Sequence, residues 1–527
     1  MIALLKNNFI STSFGTSISK LIGLARQILI AAAFGVGITY DAFNYAYIIP
    51  GFFAVIIGGI NGPLHNAIVA VLTPLNNKKA GSILFSVSLK LMLILSIVGL
   101  IIYANANYLI GIIGPDLNIE TKLLAIRHLR ILCPCIPLSA FVGLSFGALN
   151  AKNKFLIPSL SPAIISITTI IFILLDWLFT LNNNLSIGLH KRDLLALATL
   201  TGTFFQCSIQ FIETRRINLL KPNLELFKFK KLEVRIFKLI IPTTLSSGVG
   251  QINVLVDMFF VSGFQGAASA LAYGNFLIQA PLGILSNSLI LPLLPKLSQL
   301  VSKNGHKEFI KSLVLGIESC FLTTFFLSGM FILFNEQIIE IIFQRGAFNY
   351  EAAILVKKVI IAYAIGIPFY LFRDLIVRAY YILEKTKLPF QLSFAGIILN
   401  VFFDWILIGG PINNSLKLFS FNYGVIGIVI SSGIVNFIIS MILLIRLKVS
   451  KKTLPLNHIA NKTSLIFISC LISVFVCNLI LNGIFKFNNN FSNTLIYLFS
   501  GLTIYLVTYF FTTKMLKVNN INLKKII

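Results

Sequence analysis

Apolar runs of about 20 residues recur along this chain from one end to the other, and few folds can accommodate that recurrence. A run of that length is what an α-helix needs to cross about 30 Å of hydrocarbon at about 1.5 Å per residue. Fourteen such spans can be laid out, at roughly 9–35, 40–74, 82–105, 123–149, 156–181, 193–213, 236–262, 268–295, 311–335, 350–382, 389–410, 421–446, 463–484 and 491–513. Only 11% of the residues are charged, against roughly a quarter in a soluble domain. The expected fold is therefore an all-α polytopic membrane protein. The first run is not a cleavable signal, because Arg26 interrupts its centre and another span follows at once.

The loops set an orientation. Lys78 and Lys79 follow the second span, Lys152 and Lys154 the fourth, and Arg215, Arg216, Lys221, Lys228, Lys230, Lys231 and Arg235 the sixth. Basic residues likewise follow the eighth, tenth, twelfth and last spans, whereas Asn182 to Ser186 and Asn488 to Asn493 contain none. Because basic loops stay inside, both termini are expected to be cytoplasmic. The same distribution accounts for the formal charge of +26: the cations are spread over alternate loops and form no face for nucleic acid. The basic stretch 215–238 would suit anionic lipid.

An internal repeat crosses this pattern. The two tryptophans each follow an aspartate late in a span, as Asp176-Trp177 and Asp404-Trp405, 228 residues apart. A short basic turn and a proline precede each span, at Asn153-Lys154-Phe155-Leu156-Ile157-Pro158 and Glu384-Lys385-Thr386-Lys387-Leu388-Pro389. The same offset lays the second span over the eighth. An even number of spans separates the copies, so they share orientation about a pseudo-two-fold along the membrane normal. The expected layout is a six-helix lobe in 1–214, a basic cytoplasmic linker at 215–235 and a second six-helix lobe in 236–447. Two additional spans and a basic tail fill 448–527.

The chemistry gathers in the first hairpin. Lys20 and Arg26 lie six residues apart on one apolar helix, about 9 Å along its axis, so both can line one face. Ionisable groups at membrane depth usually face a bundle interior or a watery cavity. The following span, opened by Asp41, is broken by Pro50-Gly51, Gly58-Gly59 and Gly62-Pro63, a pattern tolerated where protein or a cavity covers the freed backbone. Together these features point to a transporter. His65, in the broken segment, reads as a hydrogen-bonded helix residue rather than a catalytic one. The six cysteines are scattered, and the spacing of Cys133-Pro134-Cys135 suits neither zinc nor a redox pair, so all six read as apolar fillers.

Several stretches resemble the MurJ/MviN family of lipid II flippases. They are Ser19-Lys20-Leu21-Ile22-Gly23-Leu24-Ala25-Arg26, Phe34-Gly35-Val36-Gly37, Tyr40-Asp41-Ala42-Phe43, Ala148-Leu149-Asn150-Ala151, Leu291-Pro292-Leu293-Leu294-Pro295 and Phe343-Gln344-Arg345-Gly346-Ala347-Phe348. The resemblance runs through the first twelve spans and weakens in the last two. It implies a fold of the multidrug/oligosaccharidyl-lipid/polysaccharide exporter superfamily in a bacterial inner membrane. It also implies transfer of the undecaprenyl-pyrophosphate-linked peptidoglycan precursor, lipid II, to the outer leaflet by alternating access of a single chain.

Such a cargo needs a cationic cavity for its pyrophosphate and an apolar side groove for its tail. Lys20, Arg26 and Asp41 fall on charged positions of the family pattern and so are candidates to meet the substrate. Alternatively, Arg26 and Asp41 form a buried pair that holds the hairpin together. The chain also departs from its relatives: where many carry two arginines it has Ala54 and Val55, and where Asp-Arg is common it has Asn275-Phe276. Arg130 and Arg373 are the candidate replacements, and Arg378 is as well explained by snorkelling to the interface.

In the second lobe, Asn400 and Asp404 lie four apart on one helical face, with Asp257 and Ser432 on neighbouring spans. Carboxylate, amide and hydroxyl oxygens suit a small hard cation, so Na⁺ is a candidate coupling ion. Proton uptake by Asp257 and helix packing by Asp404 are the competing readings. No HExxH, usable GxGxxG or Walker pattern occurs, and the seven aspartates are isolated, which argues against an enzyme such as a membrane polyprenyl transferase. A flippase for another polyprenyl-linked glycan, or a MATE-like ion-coupled exporter, is the nearer alternative. A drug exporter wants an acidic pocket, whereas the first lobe offers Lys20 and Arg26.

Overall fold

The computed structural model describes residues 2–57, 63–181, 191–220, 231–303, 305–408, 423–449, 452–484 and 491–516. A bilayer offers no water to satisfy N–H and C=O groups, so apolar segments close their own hydrogen bonds as helices. The chain forms α1 (Ile2–Phe34), α2 (Ile38–Ile56), α3 (Pro63–Leu72), α4 (Asn77–Ala104), α5 (Ala106–Ile113), α6 (Ile119–Leu132), α7 (Cys135–Ala151), α8 (Leu156–Leu160), α9 (Pro162–Leu181), α10 (Leu194–Arg216) and α11 (Lys231–Phe260). It continues as α12 (Ala267–Leu285), a π-helical turn at Ser286–Ile290 and α13 (Leu291–Ser302). There follow α14 (His306–Ile342), α15 (Tyr350–Ile382), α16 (Lys387–Ile408), α17 (Val425–Arg446), α18 (Leu456–Ile484) and α19 (Phe491–Met515).

Among the described residues, 11 helices are long and apolar enough to cross a membrane, and α6 with α7, bent by 46°, would make a twelfth. The second expected span corresponds to α2 with α3, and residues 58–62 between them lie outside the described residues. The seventh corresponds to α11. Asparagine, abundant in the loops, caps several helices: Asn76, Asn118 and Asn349 accept from the backbone N–H of Lys79, Thr121 and Ala352 at 3.0, 2.7 and 2.9 Å.

The chain divides into two compact units, Met1–Ser269 and Ala270–Ile527. The first runs past the basic loop 215–235 because α11 packs on α2, α3, α4 and α5. Two long-range contacts hold it there. Tyr45 donates its hydroxyl to the Met258 carbonyl at 2.9 Å, and Lys90 pairs with Glu233 at 2.6 Å, both side chains buried.

Within the first unit α7 is buried almost all round. Gly147 lets α3 approach, since a Cβ there would stand 3.0 Å from the His65 carbonyl and from Ile68. One end of the unit is tied where the Lys152 ammonium donates to the Leu75 carbonyl at 2.5 Å and the Asn77 amide to the Ile217 carbonyl at 3.2 Å. Arg127–Asp193 and Arg192–Glu120 ion pairs, each 2.5 Å, tie the opposite end.

In the second unit α14, α15 and α17 pack together, α16 lies on α17, and α18 and α19 lie on α14. Buried tyrosines donate across these seams to carbonyl groups: Tyr380 to Leu443 at 2.9 Å, Tyr505 to Phe326 at 3.2 Å and Tyr509 to Leu322 at 2.7 Å. A short antiparallel ladder pairs Lys448 with Thr453 and Val449 with Lys452 beyond α17. Both units carry exposed apolar residues such as Leu93, Leu100, Phe475 and Phe499, as a lipid-facing surface requires.

Candidate functional site

Lys20 and Arg26 sit on α1. Lys20 is exposed, Arg26 is half-buried, and the buried Arg26 Nε has no hydrogen-bond partner among the described residues. Among the described residues no carboxylate forms an ion pair with Arg26. A buried N–H left without an acceptor costs about 1–3 kcal/mol, so the Nε of this guanidinium is placed to meet an acceptor not found among the described residues. Around it, α2 carries an aromatic ladder in which Phe43 stacks between Tyr40 and Tyr47 at centroid distances of 6.3 and 5.6 Å. Next to Arg26, Gln27 donates to the Tyr40 hydroxyl at 2.7 Å, which fixes α1 against α2.

Asp41 has a different partner from either one expected. Its carboxylate is buried and accepts from the backbone N–H of Gly266 at 2.6 Å, from the N–H of Ser269 at 2.8 Å and from the Ser269 hydroxyl at 2.6 Å. Gly266 immediately precedes α12 and Ser269 lies in its first turn, where a helix leaves donors unsatisfied and its dipole favours an anion. Asp41 thus caps α12 and is not the ion partner of Arg26. Asp41 and Ser269 are 228 residues apart, the offset of the sequence repeat, so equivalent positions of the two copies bond to each other.

Arg130 lies in a different place from Arg26. It projects from α6 over the ring of Tyr103, 5.6 Å from the centroid, beside the last turn of α4. Ser145, Ser161, Gln206 and Gln210 form a buried polar cluster between α7, α9 and α10, with Gln210 and Gln206 donating to Ser161 at 2.8 and 3.2 Å and Ser145 donating to Gln210. His65 meets the Asn150 amide at 2.8 Å and packs edge-on against Phe146, the structural role its position suggested.

In the second unit the structure joins two expectations that were separate. Asn400 donates to Asp404 at 3.0 Å, and both are essentially fully buried on α16. Ser432 donates to the Asn400 carbonyl oxygen Oδ1 at 3.4 Å, and Ser431 donates to the same atom at 3.5 Å. Asn436, one turn on, donates to the Ser432 carbonyl at 2.7 Å and accepts from Arg373 at 2.7 Å. Arg373 also reaches the Ser393 hydroxyl at 3.4 Å. Three of the candidate cation ligands, Asn400, Asp404 and Ser432, therefore form one chain of hydrogen bonds with Asn436 and Arg373 across α15, α16 and α17. Asp257 belongs to the first unit, in α11. Arg378 pairs with Asp374 at 2.8 Å, and Asp374 also accepts from Ser286, in the π-helical turn, at 3.1 Å.

The oxygens at Asn400, Asp404, Ser431 and Ser432 are hard donors of the kind that suits Na⁺. Among the described residues no three His, Cys, Asp or Glu side chains gather as a transition-metal centre would need. A cavity of about 880 Å³ opens beside α14, α15, α17 and α18, walled by residues such as Phe325, Phe369, Phe437 and Phe467. Its lining is almost entirely apolar, which suits a hydrocarbon chain.

Sequence reasoning passed over Lys90, Glu233 and Asn436. Lys90 is an ionisable residue in the middle of the third span, a signal strong enough to have marked it. Asn436 stands one turn beyond Ser432, where a helical-face argument would have reached it.

The model of the family described as "Lipid II flippase MurJ" matches residues 30–504. A "Probable lipid II flippase MurJ" of Synechocystis is 37% identical over 427 residues, covering 80% of this chain and 78% of the relative. Its counterpart in Buchnera aphidicola from Acyrthosiphon pisum is 28% identical, covering 97% and 98%. A solved structure described as "Lipid II flippase MurJ, inward closed conformation" superposes with a TM-score of 0.78 at 27% identity over 96% of this chain and 99% of that one. An inward-facing multidrug MATE transporter of the MOP superfamily superposes at 0.62 with 16% identity over 82% and 96%, a likeness of fold. With a family match from residue 30 to 504 and a superposition over nearly its full length, the chain belongs to the MurJ family of lipid II flippases.

Proposed function

We propose that this chain carries lipid II, the undecaprenyl-pyrophosphate-linked peptidoglycan precursor, from the inner to the outer leaflet of a bacterial plasma membrane. Beyond family membership, the observation that carries the reading is Arg26: a guanidinium at membrane depth whose buried Nε has no acceptor among the described residues. A pyrophosphate oxygen is the acceptor such a fork fits best. Lys20, on the same helix, adds a second cation on the path of the head group. The apolar cavity beside α18 is of a size and lining to hold part of a prenyl tail.

In this reading both termini are cytoplasmic, a single chain is the working unit, and the head group crosses by alternating access. The three charge-assisted hydrogen bonds that Asp41 accepts at the start of α12 are, in this reading, contacts that the cycle opens and re-forms. The broken second span and the π-helical turn after α12 supply the places to bend. We further propose that Na⁺ at Asn400, Asp404 and Ser432 biases the cycle, because a bound cation offsets the cost of the buried carboxylate.

Complementation of bacteria depleted of their own lipid II flippase, scored by labelling precursor in the outer leaflet, tests the reading. Restored growth with outward-facing lipid II is expected. Well-expressed protein that leaves the precursor inside would overturn it in favour of another polyprenyl-linked glycan. Ala54, Val55 and Phe276 would then be the first residues to revert to arginine.

A further inference from the structure

We propose that the cleft between α4, α5, α6 and α10 binds an anionic phospholipid through its phosphodiester, with Arg130 as the anchoring residue. The cleft measures about 850 Å³, and Tyr103, Leu123, Ile126, Ile131 and Leu197 form much of its wall, with Arg127 and Arg130 as the cations in it. The two arginines are three residues apart on α6 and so share a face.

Their charges are not equivalent. Arg127 is neutralised by Asp193 at 2.5 Å, and next to it Arg192 is neutralised by Glu120 at 2.5 Å. Arg130 holds only the face of Tyr103, with no carboxylate against it among the described residues. A guanidinium seated on a ring still presents its N–H edge, the edge that grips phosphate oxygens in pairs. The cleft therefore has one uncompensated positive charge, which balances one phosphodiester. A pyrophosphate brings at least two negative charges and would leave one unbalanced.

The location fits a phospholipid as well. The cleft lies towards the end of the first unit opposite to the Lys152 and Asn77 ties, running along α6 from Leu123 to Arg130 in its last turn, beside the C-terminal turn of α4 and the first turns of α10. Tyr103 and Tyr108 are exposed there, as aromatic residues are at the head-group level. Leu100 and Ile101, about a turn before Tyr103 on α4, are more than half exposed, so acyl chains can run down that helix from the bound phosphate. The inference requires only a membrane-spanning chain and does not rest on the lipid II reading.

Native mass spectrometry of the delipidated full-length chain, titrated with phosphatidylglycerol, phosphatidylcholine and undecaprenyl pyrophosphate, tests it. The expected result is one phosphatidylglycerol held about tenfold more tightly than phosphatidylcholine, that preference disappearing in Arg130→Gln and falling only severalfold in Arg130→Lys. Arg130→Lys keeps the charge and answers the question even if Arg130→Gln does not fold. Equal retention of the two phospholipids, or preference unchanged in both variants, would overturn the site. Displacement of phosphatidylglycerol by equimolar undecaprenyl pyrophosphate, dependent on Arg130, would overturn the phosphodiester assignment and make the cleft a substrate site.

Discussion

Arg26 on α1 and Arg373 on α15 are both half-buried guanidiniums in apolar helices, and their surroundings use them in opposite ways. Arg373 is absorbed into the fold: Asn436 and Ser393 accept from it, and Asn436 passes the connection on to Ser432 and Asn400. Arg26 has no such chain, and its Nε is buried without an acceptor among the described residues. A satisfied guanidinium stabilises the native state, whereas an unsatisfied one costs about 1–3 kcal/mol until a ligand arrives. The difference separates a charge kept for structure from a charge kept for cargo.

The contrast breaks most sharply on substitution. Arg26→Met is expected to cut outward delivery of lipid II by tenfold or more, from the loss of charged hydrogen bonds of about 1.5–3 kcal/mol, while the melting temperature holds or rises. A variant that transports normally, or that unfolds, would erase the distinction. Arg373→Met should do the reverse in stability, lowering it by about 1–3 kcal/mol because Asn436 is left buried with an unmatched oxygen. Thermal melts in a fixed detergent read this directly, and an unchanged melt would mean the network carries no weight.

A smaller effect is expected at Asp41. Asp41→Asn removes the charge that caps α12 while keeping one acceptor oxygen, a loss of about 1 kcal/mol in closing that end. Cysteine pairs across α2 and the α12 start should cross-link less readily in the variant, and equal cross-linking would count against the clamp. The smallest shift concerns the ion. Replacing choline by sodium should raise the melting temperature of the native chain by a few degrees, and this increment should vanish in Asp404→Asn. A sodium increment that survives in the variant would place the ion elsewhere.

Much of this molecule could be read without coordinates. The apolar runs determined a helical membrane protein because length and hydropathy leave the backbone no alternative in a bilayer. The repeat, read from two Asp-Trp pairs, reappears in the bond between Asp41 and Ser269, whose spacing is the same 228 residues. The asparagines that punctuate the loops recur as helix caps, a local effect visible in three-residue spacing.

What only tertiary packing decided was the partner of each charge. A lysine in a span signals expense but not relief, and nothing near Lys90 in sequence points to Glu233, 143 residues away. Asp41 looks like a mate for Arg26 until the start of α12 brings three donors to it. Arg130 and Arg26 are alike in composition terms, yet one faces a lipid-level cleft and the other an aromatic ladder on α2. Hydropathy is a property of a segment and survives in sequence, whereas charge compensation belongs to pairs that meet only once the helices have packed.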